Sequence, residues 1–340
     1  MKKYLVLENG TIFEGISFGF DGETSGEVVF NTGMTGYTES LTDPSYKGQI
    51  LCQTYPLIGN YGVHEKDAES SSIHVKGYVV NEHCDEPENG KTMDAFLKEH
   101  HVPGISGIDT RMLAKTLRTR GTMLGGIFNS PVARELYNPN KDDLVSMVTT
   151  REIKEFGTGK TVALIDCGVK MNIIRSLIQR NLRVIVMPAT SSIDDIMALN
   201  PSGLVVSNGP GDPQSTRYVV DTLRKFIEYR LPTFGICLGI QLLGGALGAS
   251  TYKLTFGHRG QNHPCMDTKT KRCYMTSQNH GFAVKDLPET LEATMVDMND
   301  GTIEGFTHKR LPVFAVQFHP EAAPGPQDTS FLFDKFTRML

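Results

Sequence analysis

The sequence predicts an α/β protein in which a doubly wound parallel sheet follows a smaller, mostly β (α+β) domain. The chain has 340 residues, and at roughly 150 residues per domain this predicts two domains that each bury a core. After residue 160, strand-length apolar runs alternate with helical patterns, which favours a parallel sheet joined by helices. Before residue 150, short apolar runs are broken by glycine, threonine, asparagine and proline, which is typical of a mostly β domain.

Residues 1–150 form the first predicted domain. Its strands are predicted at residues 4–7, 11–13, 27–30, 49–52, 75–80 and 125–127. Helical spacing predicts helices over residues 92–100 and 110–120, the second with Asp109 as its N-cap and Gly121 as its terminator. Residues 151–160 are mostly polar and run into Gly-Thr-Gly, so we predict a linker there.

The second predicted domain occupies residues 161–340. Its parallel strands are predicted at residues 162–166, 183–187, 203–207 and 232–236, and its helices at residues 172–179, 193–199 and 216–229. Residues 250–318 are rich in strand signals, and residues 329–340 close the chain as a helix. The carboxyl ends of parallel strands meet at one edge of such a sheet, where ligands bind.

Composition and charge exclude several classes of protein. Lys plus Arg is 34 and Asp plus Glu is 38, a net charge of −4, which excludes a nucleic-acid binder that relies on bulk charge. The longest apolar runs are strand-length, far below the roughly 18 residues that span a bilayer. The six cysteines include no CxxC pair, which favours reduced thiols. We therefore expect a cytoplasmic protein without a membrane or nucleic-acid partner.

Cys237 stands at the strongest local signal, where the fourth predicted strand turns into a helix between Gly235 and Gly239. Glycines on both sides of a nucleophile allow the sharp strand-to-helix turn that presents it above a sheet. The N–H of Leu238, next in the chain, would face a developing oxyanion. The alternative is a buried cysteine at a tight junction, but the two glycines and the position at a strand's carboxyl end favour the nucleophile.

His319 and Glu321 follow the apolar run at residues 313–318. Residues two apart in an extended chain point the same way, so Glu321 can orient His319 while His319 faces Cys237. The alternative is a solvated His-Pro-Glu turn, which would be favoured if Cys237 were absent. We assign no metal to His258 and His263, because neither has the spacing of metal ligands nor a CxxC partner.

A glycine-rich loop, Asn-Gly-Pro-Gly-Asp-Pro, follows the third predicted strand of the second domain. It lacks the spacing of a phosphate-binding loop. Gly209 and Gly211 allow backbone N–H groups to approach a ligand without a Cβ in the way, and the loop should lie beside Cys237. The alternative is an ordinary β-turn.

The Gly-Ile-Cys-Leu-Gly-x-Gln, Asn-Gly-Pro-Gly-Asp-Pro and Gln-Phe-His-Pro-Glu motifs resemble the signatures of class I glutamine amidotransferases. The resemblance spans roughly residues 160–340 and implies a flavodoxin-like fold there. It also implies that Cys237 attacks the carboxamide of L-glutamine, forming a γ-glutamyl thioester and releasing ammonia. His319 would be the general base and acid, and Glu321 its orienter.

Motifs in both halves narrow the resemblance to the small-chain family of carbamoyl phosphate synthase; they lie at residues 35–46, 55–62, 107–111, 256–264 and 277–284. This resemblance implies a glutaminase subunit that forms a heterodimer, or a higher oligomer of that heterodimer, with a large synthetase subunit. The large subunit would use ammonia, bicarbonate, ATP and magnesium to make carbamoyl phosphate for arginine and pyrimidine biosynthesis. We expect no cofactor in this chain.

The resemblance also implies which residues hold L-glutamine: Ser45, Gly209, Gly211, Leu238, Gln241, Asn279, Gly281 and Phe282. A zwitterionic amino acid needs hydroxyl, amide and backbone partners of this kind. Ser45 and residues 279–282 rest on the resemblance alone, since by themselves they would be a turn serine and a hairpin loop. One departure is Ile240, a position that is often histidine in this family.

Two other functions are compatible with parts of the sequence. A free-standing cysteine hydrolase, such as a peptidase or γ-glutamyl hydrolase, would need no N-terminal domain and would be fully active without a partner. A non-catalytic regulatory module would have no chemical need for Cys237, His319 and Glu321 together. We therefore favour the glutaminase subunit.

Overall fold

The structure, a computed structural model, describes residues 1–132 and 134–340. It divides into two units, Met1–Asp142 and Asp143–Leu340. The strands of the first unit are β1 Lys2–Leu7, β2 Ile12–Gly19, β3 Thr24–Asn31, β4 Gln49–Gln53, β5 Leu57–Ile58, β6 Gly77–Val79, β7 Glu82–His83, β8 Pro103–Ser106 and β9 Met123–Phe128. Its helices are α1 Tyr37–Thr42, α2 Met93–Glu99 and α3 Thr110–Arg120.

A closed barrel forms the core of the first unit, with the strand order β1-β2-β8-β6-β4-β3-β9. The apolar strand positions Leu5, Ile50 and Ile105 are fully buried together. Helix α3 adds Leu113 and Leu117 to the same core, because these residues lie four apart on one helical face. The mostly β character predicted for this region is confirmed.

Local signals placed most elements of this unit correctly. Asp109 caps α3 by accepting a hydrogen bond from the Met112 amide at 2.8 Å, and Gly121 ends the helix with φ +93°. Strand β8 was not predicted, since Pro-Gly-Ile-Ser contains a single strong strand former. Helix α1 was not predicted either, because its sequence of Tyr, Thr and Ser has weak helix propensity and tertiary burial decides its conformation.

The second unit carries the parallel sheet. Its strands are β10 Lys154–Phe156, β11 Lys160–Asp166, β12 Leu182–Pro188, β13 Gly203–Val206, β14 Thr233–Ile236, β15 Ser250–Asp267, β16 Cys273–Lys285, β17 Leu291–Asp297, β18 Ile303–His308 and β19 Val313–Val316. Its helices are α4 Met171–Ile178, α5 Ile193–Ala198, α6 Arg217–Glu228, α7 Leu238–Ala246 and α8 Phe331–Met339. Within the residues that the structure describes, no helix combines the length and apolar character needed to cross a bilayer.

Five parallel strands stand in the order β12-β11-β13-β14-β19. Numbered by chain position, this is the 2-1-3-4-5 order of flavodoxin-like sheets, so the predicted doubly wound fold is confirmed. Two apolar clusters occupy the two faces of the sheet, one including Val206 and Phe226 and the other including Phe234 and Phe336. The antiparallel strands β18, β16, β15 and β17 extend the sheet beyond β19.

The boundary between the units differs from the predicted one at residue 150. Residues 143–150 group with the second unit, where the Thr150 amide donates to Asp166 Oδ2 at 2.7 Å. The predicted linker at residues 151–160 contains β10, which pairs antiparallel with β12 at the sheet edge. An edge strand stays largely exposed, and for this reason its polar composition resembled that of a linker.

Candidate active site

Cys237 occupies a strained turn between β14 and α7. Its backbone has φ 56° and ψ −105°, a conformation that side chains rarely adopt. A Cβ on Gly239 would lie 2.2 Å from the Val206 carbonyl oxygen, and one on Gly235 would lie 2.7 Å from the Gly239 carbonyl oxygen. Both flanking glycines are therefore required by close backbone approach, and the predicted elbow is present.

His319 and Glu321 form a short hydrogen bond just beyond β19. His319 Nδ1 lies 2.7 Å from Glu321 Oε1, and because a carboxylate only accepts, the proton is assigned to Nδ1. The His319 backbone N–H donates to the Ser277 carbonyl at 2.9 Å, which ties this segment to β16. The two side chains therefore meet as predicted, but through a turn and not through extended chain, since the Ala322 amide donates to the His319 carbonyl at 3.1 Å; the orienting role of Glu321 stays a prediction.

Lys170 is a candidate site residue that was not predicted from the sequence. Its Nζ donates to Glu321 Oε1 at 2.9 Å and to the Ala322 carbonyl at 2.6 Å, and its side chain is buried. The signal was available, because Lys170 follows β11 at the carboxyl edge of the parallel sheet, where a lysine among apolar residues points to a site. Its partner, 151 residues away in sequence, could not be inferred from spacing.

Charge coupling sets the protonation of this cluster. Burial by itself lowers the pKa of His319, but Glu321 and Cys237 together raise that pKa above its usual value. Burial by itself raises the pKa of Glu321, but Lys170 and His319 hold that pKa below its usual value. The arrangement therefore favours a positive imidazole beside the Cys237 sulfur, which is the state that can donate a proton to a leaving group.

The glycine-rich loop lies against the elbow. A Cβ on Gly209 would lie 2.1 Å from the Cys167 carbonyl oxygen and 2.9 Å from Leu238 Cδ2, while Gly211 has φ +88°. Asn208 Oδ1 accepts a hydrogen bond from the Lys170 amide at 3.1 Å. The loop and the elbow therefore meet at one edge of the sheet, as expected from the strand order, and Lys170 lies at the same edge.

Three of the predicted glutamine-binding residues lie near Cys237. Two of them contact each other, and the third accepts a hydrogen bond from the Cys237 thiol. Gln241 Nε2 on α7 donates to the Phe282 carbonyl at 2.9 Å. Asn279 presents its carbonyl to Cys237 Sγ at 3.6 Å. Residues 279–282 lie within β16 and not in a hairpin loop. A Cβ on Gly281 would lie 3.2 Å from Arg259 Nη2, so a side chain there would require a small shift of the arginine.

Ser45 belongs to the first unit, where it is buried in the 3₁₀ turn Pro44–Tyr46 and its amide donates to Asp43 Oδ1 at 2.9 Å. Ile240 is fully buried in the apolar cluster on one face of the sheet. The departure at this position therefore contributes to the core of the second unit.

Leu238 begins α7, and its N–H is one of the first four of the helix, which have no intrahelical acceptor. Such a donor, next to the nucleophile at a helix N-terminus, suits a developing oxyanion. A thiol, a positioned imidazole and a carboxylate held by a lysine form the arrangement that acyl transfer requires.

The comparisons with known proteins agree with this geometry. Residues 163–339 match the family described as glutamine amidotransferase class-I, which is just over half of the chain. Residues 5–127 match the carbamoyl-phosphate synthase small chain, CPSase domain. Fold and site thus define a class I glutamine amidotransferase.

Relatives of the full chain identify the branch of that class. The chain is 50% identical to the carbamoyl phosphate synthase small chain of Clostridium perfringens, with 99% of both proteins covered. It is 48% identical to that of Archaeoglobus fulgidus, covering 100% of this chain and 99% of the relative. It is 46% identical to the carbamoyl phosphate synthase pyrimidine-specific small chain of Halalkalibacterium halodurans, covering 100% of this chain and 97% of the relative. The chain therefore belongs to the carbamoyl phosphate synthase small-chain family, as the resemblance predicted, and is a glutamine-hydrolysing subunit.

Proposed function

We propose that this subunit hydrolyses L-glutamine through a thioester on Cys237 and delivers the ammonia to a large synthetase subunit. The observation that carries the proposal is the cluster of Cys237, His319, Glu321 and Lys170 at the carboxyl edge of a class I amidotransferase sheet. Family membership supports the same chemistry, because the relatives are small chains of carbamoyl phosphate synthase.

In the first half-reaction, the Sγ proton of Cys237 passes to the His319 ring, the thiolate attacks the carboxamide carbon, and the carbonyl oxygen becomes an oxyanion near the Leu238 N–H. His319 then donates its proton to the nitrogen, the C–N bond breaks and ammonia leaves. In the second half-reaction, His319 accepts a proton from water as the water oxygen attacks the thioester. The C–S bond breaks, the cysteine is restored and glutamate is released.

Glutamine is proposed to be held by the residues that the family resemblance supplied: Ser45, Gly209, Gly211, Leu238, Gln241, Asn279, Gly281 and Phe282. The contacts of Gln241 and Asn279 support this assignment for the second unit, since both lie at the elbow. Ser45 is assigned by the resemblance alone.

Ammonia is proposed to be used by a large subunit in a heterodimer. That subunit would consume bicarbonate and ATP with magnesium and form carbamoyl phosphate for arginine and pyrimidine biosynthesis. The nucleotide chemistry is assigned to the partner, because the sequence of this chain has no recognisable nucleotide-binding motif. We place the complex in the cytoplasm, as the cysteine usage predicts.

The test is ammonia release from glutamine by the wild type, Cys237→Ser and the control Cys273→Ser, each with and without the large chain. Cys273 is an exposed free cysteine, so its replacement should leave the rate unchanged. We expect Cys237→Ser to lower the rate by about 10⁴-fold or more and carbamoyl phosphate to appear only with the wild type or the control. Equal rates for wild type and Cys237→Ser under both conditions would show a regulatory module instead. Full wild-type activity that the large chain does not change would favour a free-standing hydrolase.

A further inference from the structure

A second buried cluster lies beside the active site, where three strands bring two histidines and a glutamate together. His258 is on β15, His280 on β16 and Glu304 on β18. His258 and His280 are direct cross-strand partners, and one nitrogen of each lies within 4.8 Å of the other and of a Glu304 oxygen. All three side chains are at least nine-tenths buried.

Each histidine already uses one of its two nitrogens as a donor. His258 Nε2 lies 2.9 Å from Asp300 Oδ2, and His280 Nδ1 lies 2.8 Å from the Phe282 carbonyl oxygen. Carboxylates and carbonyls only accept, so the hydrogen-bond network assigns the N–H to these nitrogens. In the neutral rings, His258 Nδ1 and His280 Nε2 are then lone-pair atoms.

Both lone-pair nitrogens face a third acceptor. Glu304 Oε1 lies 3.5 Å from His258 Nδ1 and 3.7 Å from His280 Nε2. Within residues 1–132 and 134–340, none of these three atoms has a hydrogen-bond partner, although all are buried. The other carboxylate oxygen is held by Gln278 Nε2 at 2.8 Å. Buried acceptors that face one another are costly unless a positive charge lies between them.

We propose that His258 Nδ1, His280 Nε2 and Glu304 Oε1 bind a divalent transition metal ion, with Zn²⁺ as the best fit. Tetrahedral zinc with bonds of about 2.0–2.1 Å places its ligand atoms about 3.3–3.4 Å apart, close to the two separations at Glu304. Two imidazoles and one carboxylate are a known ligand set for zinc. Metal-bound histidines also donate their second N–H to a carboxylate or carbonyl, as both histidines do here.

A competing set consists of His258, His263 and Asp297, whose ligand atoms are also close together. It is disfavoured because Asp297 Oδ2 already contacts His263 Nδ1 at 3.3 Å and lies 3.9 Å from His258 Nδ1. His263 is also less buried than the proposed ligands. From the sequence, we assigned no metal to His258 and His263. The proposed site could not be predicted, because its ligands come from three separate strands and share no local spacing.

The metal site adjoins the predicted glutamine site, since His280 lies between Asn279 and Gly281. A metal ion bound to His280 would fix the backbone of β16 at the point where Asn279 contacts Cys237. This positioning role rests on the proposed function, whereas the metal site itself does not.

The test is a titration of the untagged, metal-free full chain with CoCl₂, followed by visible absorption and by elemental analysis after gel filtration. We expect one equivalent to bind with the spectrum of tetrahedral cobalt and to be displaced by ZnCl₂. Glu304→Gln and His280→Gln should each lower the affinity by at least about 100-fold, while the controls His263→Gln and His308→Gln should stay within about 10-fold. Circular dichroism shows whether each variant is folded.

Two results would overturn the proposal. One is a wild type that binds no stoichiometric cobalt or zinc, which would mean that a His258 imidazolium pairs with Glu304 without a metal. The other is a loss of binding in His263→Gln but not in His280→Gln, which would assign the metal to the competing set. The readout needs no glutamine hydrolysis, so failure of the proposed function leaves this test intact. The wild-type titration decides the proposal even if a variant does not fold.

Discussion

The second unit buries two histidine–carboxylate clusters along one continuous sheet. They differ in whether a proton lies between the histidine nitrogen and the carboxylate oxygen that face each other. Glu321 Oε1 is 2.7 Å from His319 Nδ1 and 2.9 Å from Lys170 Nζ, so protons and a positive charge balance the carboxylate. Glu304 Oε1 is instead 3.5 and 3.7 Å from two histidine nitrogens, which carry no proton when both rings are neutral.

The contrast shows how the position of a proton separates two uses of the same side chains. In the triad, the histidine donates its Nδ1–H to the carboxylate, and the rest of the ring remains available for proton exchange with Cys237. In the second cluster, both histidines donate away from the carboxylate, and the bare nitrogens and the oxygen converge on one point. The first arrangement suits proton transfer, and the second suits a cation.

The largest expected difference is in the rate of glutamine hydrolysis. Glu321→Gln should lower kcat by about 10³–10⁴-fold, because an amide no longer fixes the tautomer and charge of His319. Glu304→Gln should change kcat by less than about 10-fold and act mainly on KM, through β16. Steady-state kinetics of the two variants check this. Equal losses of kcat would place Glu304 in the reacting machinery and remove the contrast.

The next largest effect concerns Lys170, which balances Glu321. Lys170→Met should lower the free energy of unfolding by about 3–5 kcal/mol, because Glu321 keeps a buried charge without its lysine partner. Lys225→Met, at an exposed position on α6, should change it by less than about 0.5 kcal/mol. Urea unfolding measures both. If Lys170→Met lowered the free energy of unfolding no more than Lys225→Met does, His319 alone would balance the Glu321 carboxylate.

A smaller effect is expected at the residue that orients His258. Asp300→Asn should weaken Co²⁺ binding by about 10–100-fold, since residues that hydrogen-bond to metal ligands have effects of this size. Asp286→Asn, at an exposed loop carboxylate, is the matched control. The titration described above measures both affinities. Unchanged binding in Asp300→Asn would contradict the assignment of Nδ1 as the ligand atom of His258.

The smallest effect is a pH dependence of stability from the triad. The pKa of Glu321 is lowered from its usual 4.5, so its contribution is present above pH 4.5 and is lost as the pH falls through the folded-state value. The pKa of His319 is raised from its usual 6.5, so its contribution is present below pH 6.5 and is lost as the pH rises through the folded-state value. Both contributions to the free energy of unfolding are therefore at their full value between pH 4.5 and 6.5.

Urea unfolding of wild type and Glu321→Gln from pH 3 to pH 9 tests this window. The acid-side loss, on the order of 2 kcal/mol for one such carboxylate, should be absent in Glu321→Gln because glutamine does not titrate. Parallel curves for the two proteins would show that the pair contributes no pH dependence.

Features that depend on neighbours in the chain could be predicted from the sequence. The elbow was predictable because Gly235 and Gly239 stand two residues before and after Cys237. The contact between His319 and Glu321 was predictable because the two lie close in the sequence, although a turn and not extended chain brings them together. The parallel sheet followed from alternating strand and helix patterns, and its strand order placed the glycine-rich loop at the elbow.

Which distant residues share one buried space depends on how the chain folds, and sequence spacing does not show it. Lys170 meets Glu321 across 151 residues of sequence, and His258, His280 and Glu304 meet because β15, β16 and β18 are neighbours in the sheet. The polar strand β10 could not be predicted for a related reason. Its pairing with β12, and not its own composition, makes it a strand. Local patterns record φ/ψ preference and side-chain direction, whereas strand pairing and the balance of buried charge depend on contacts that form only when the whole sheet assembles.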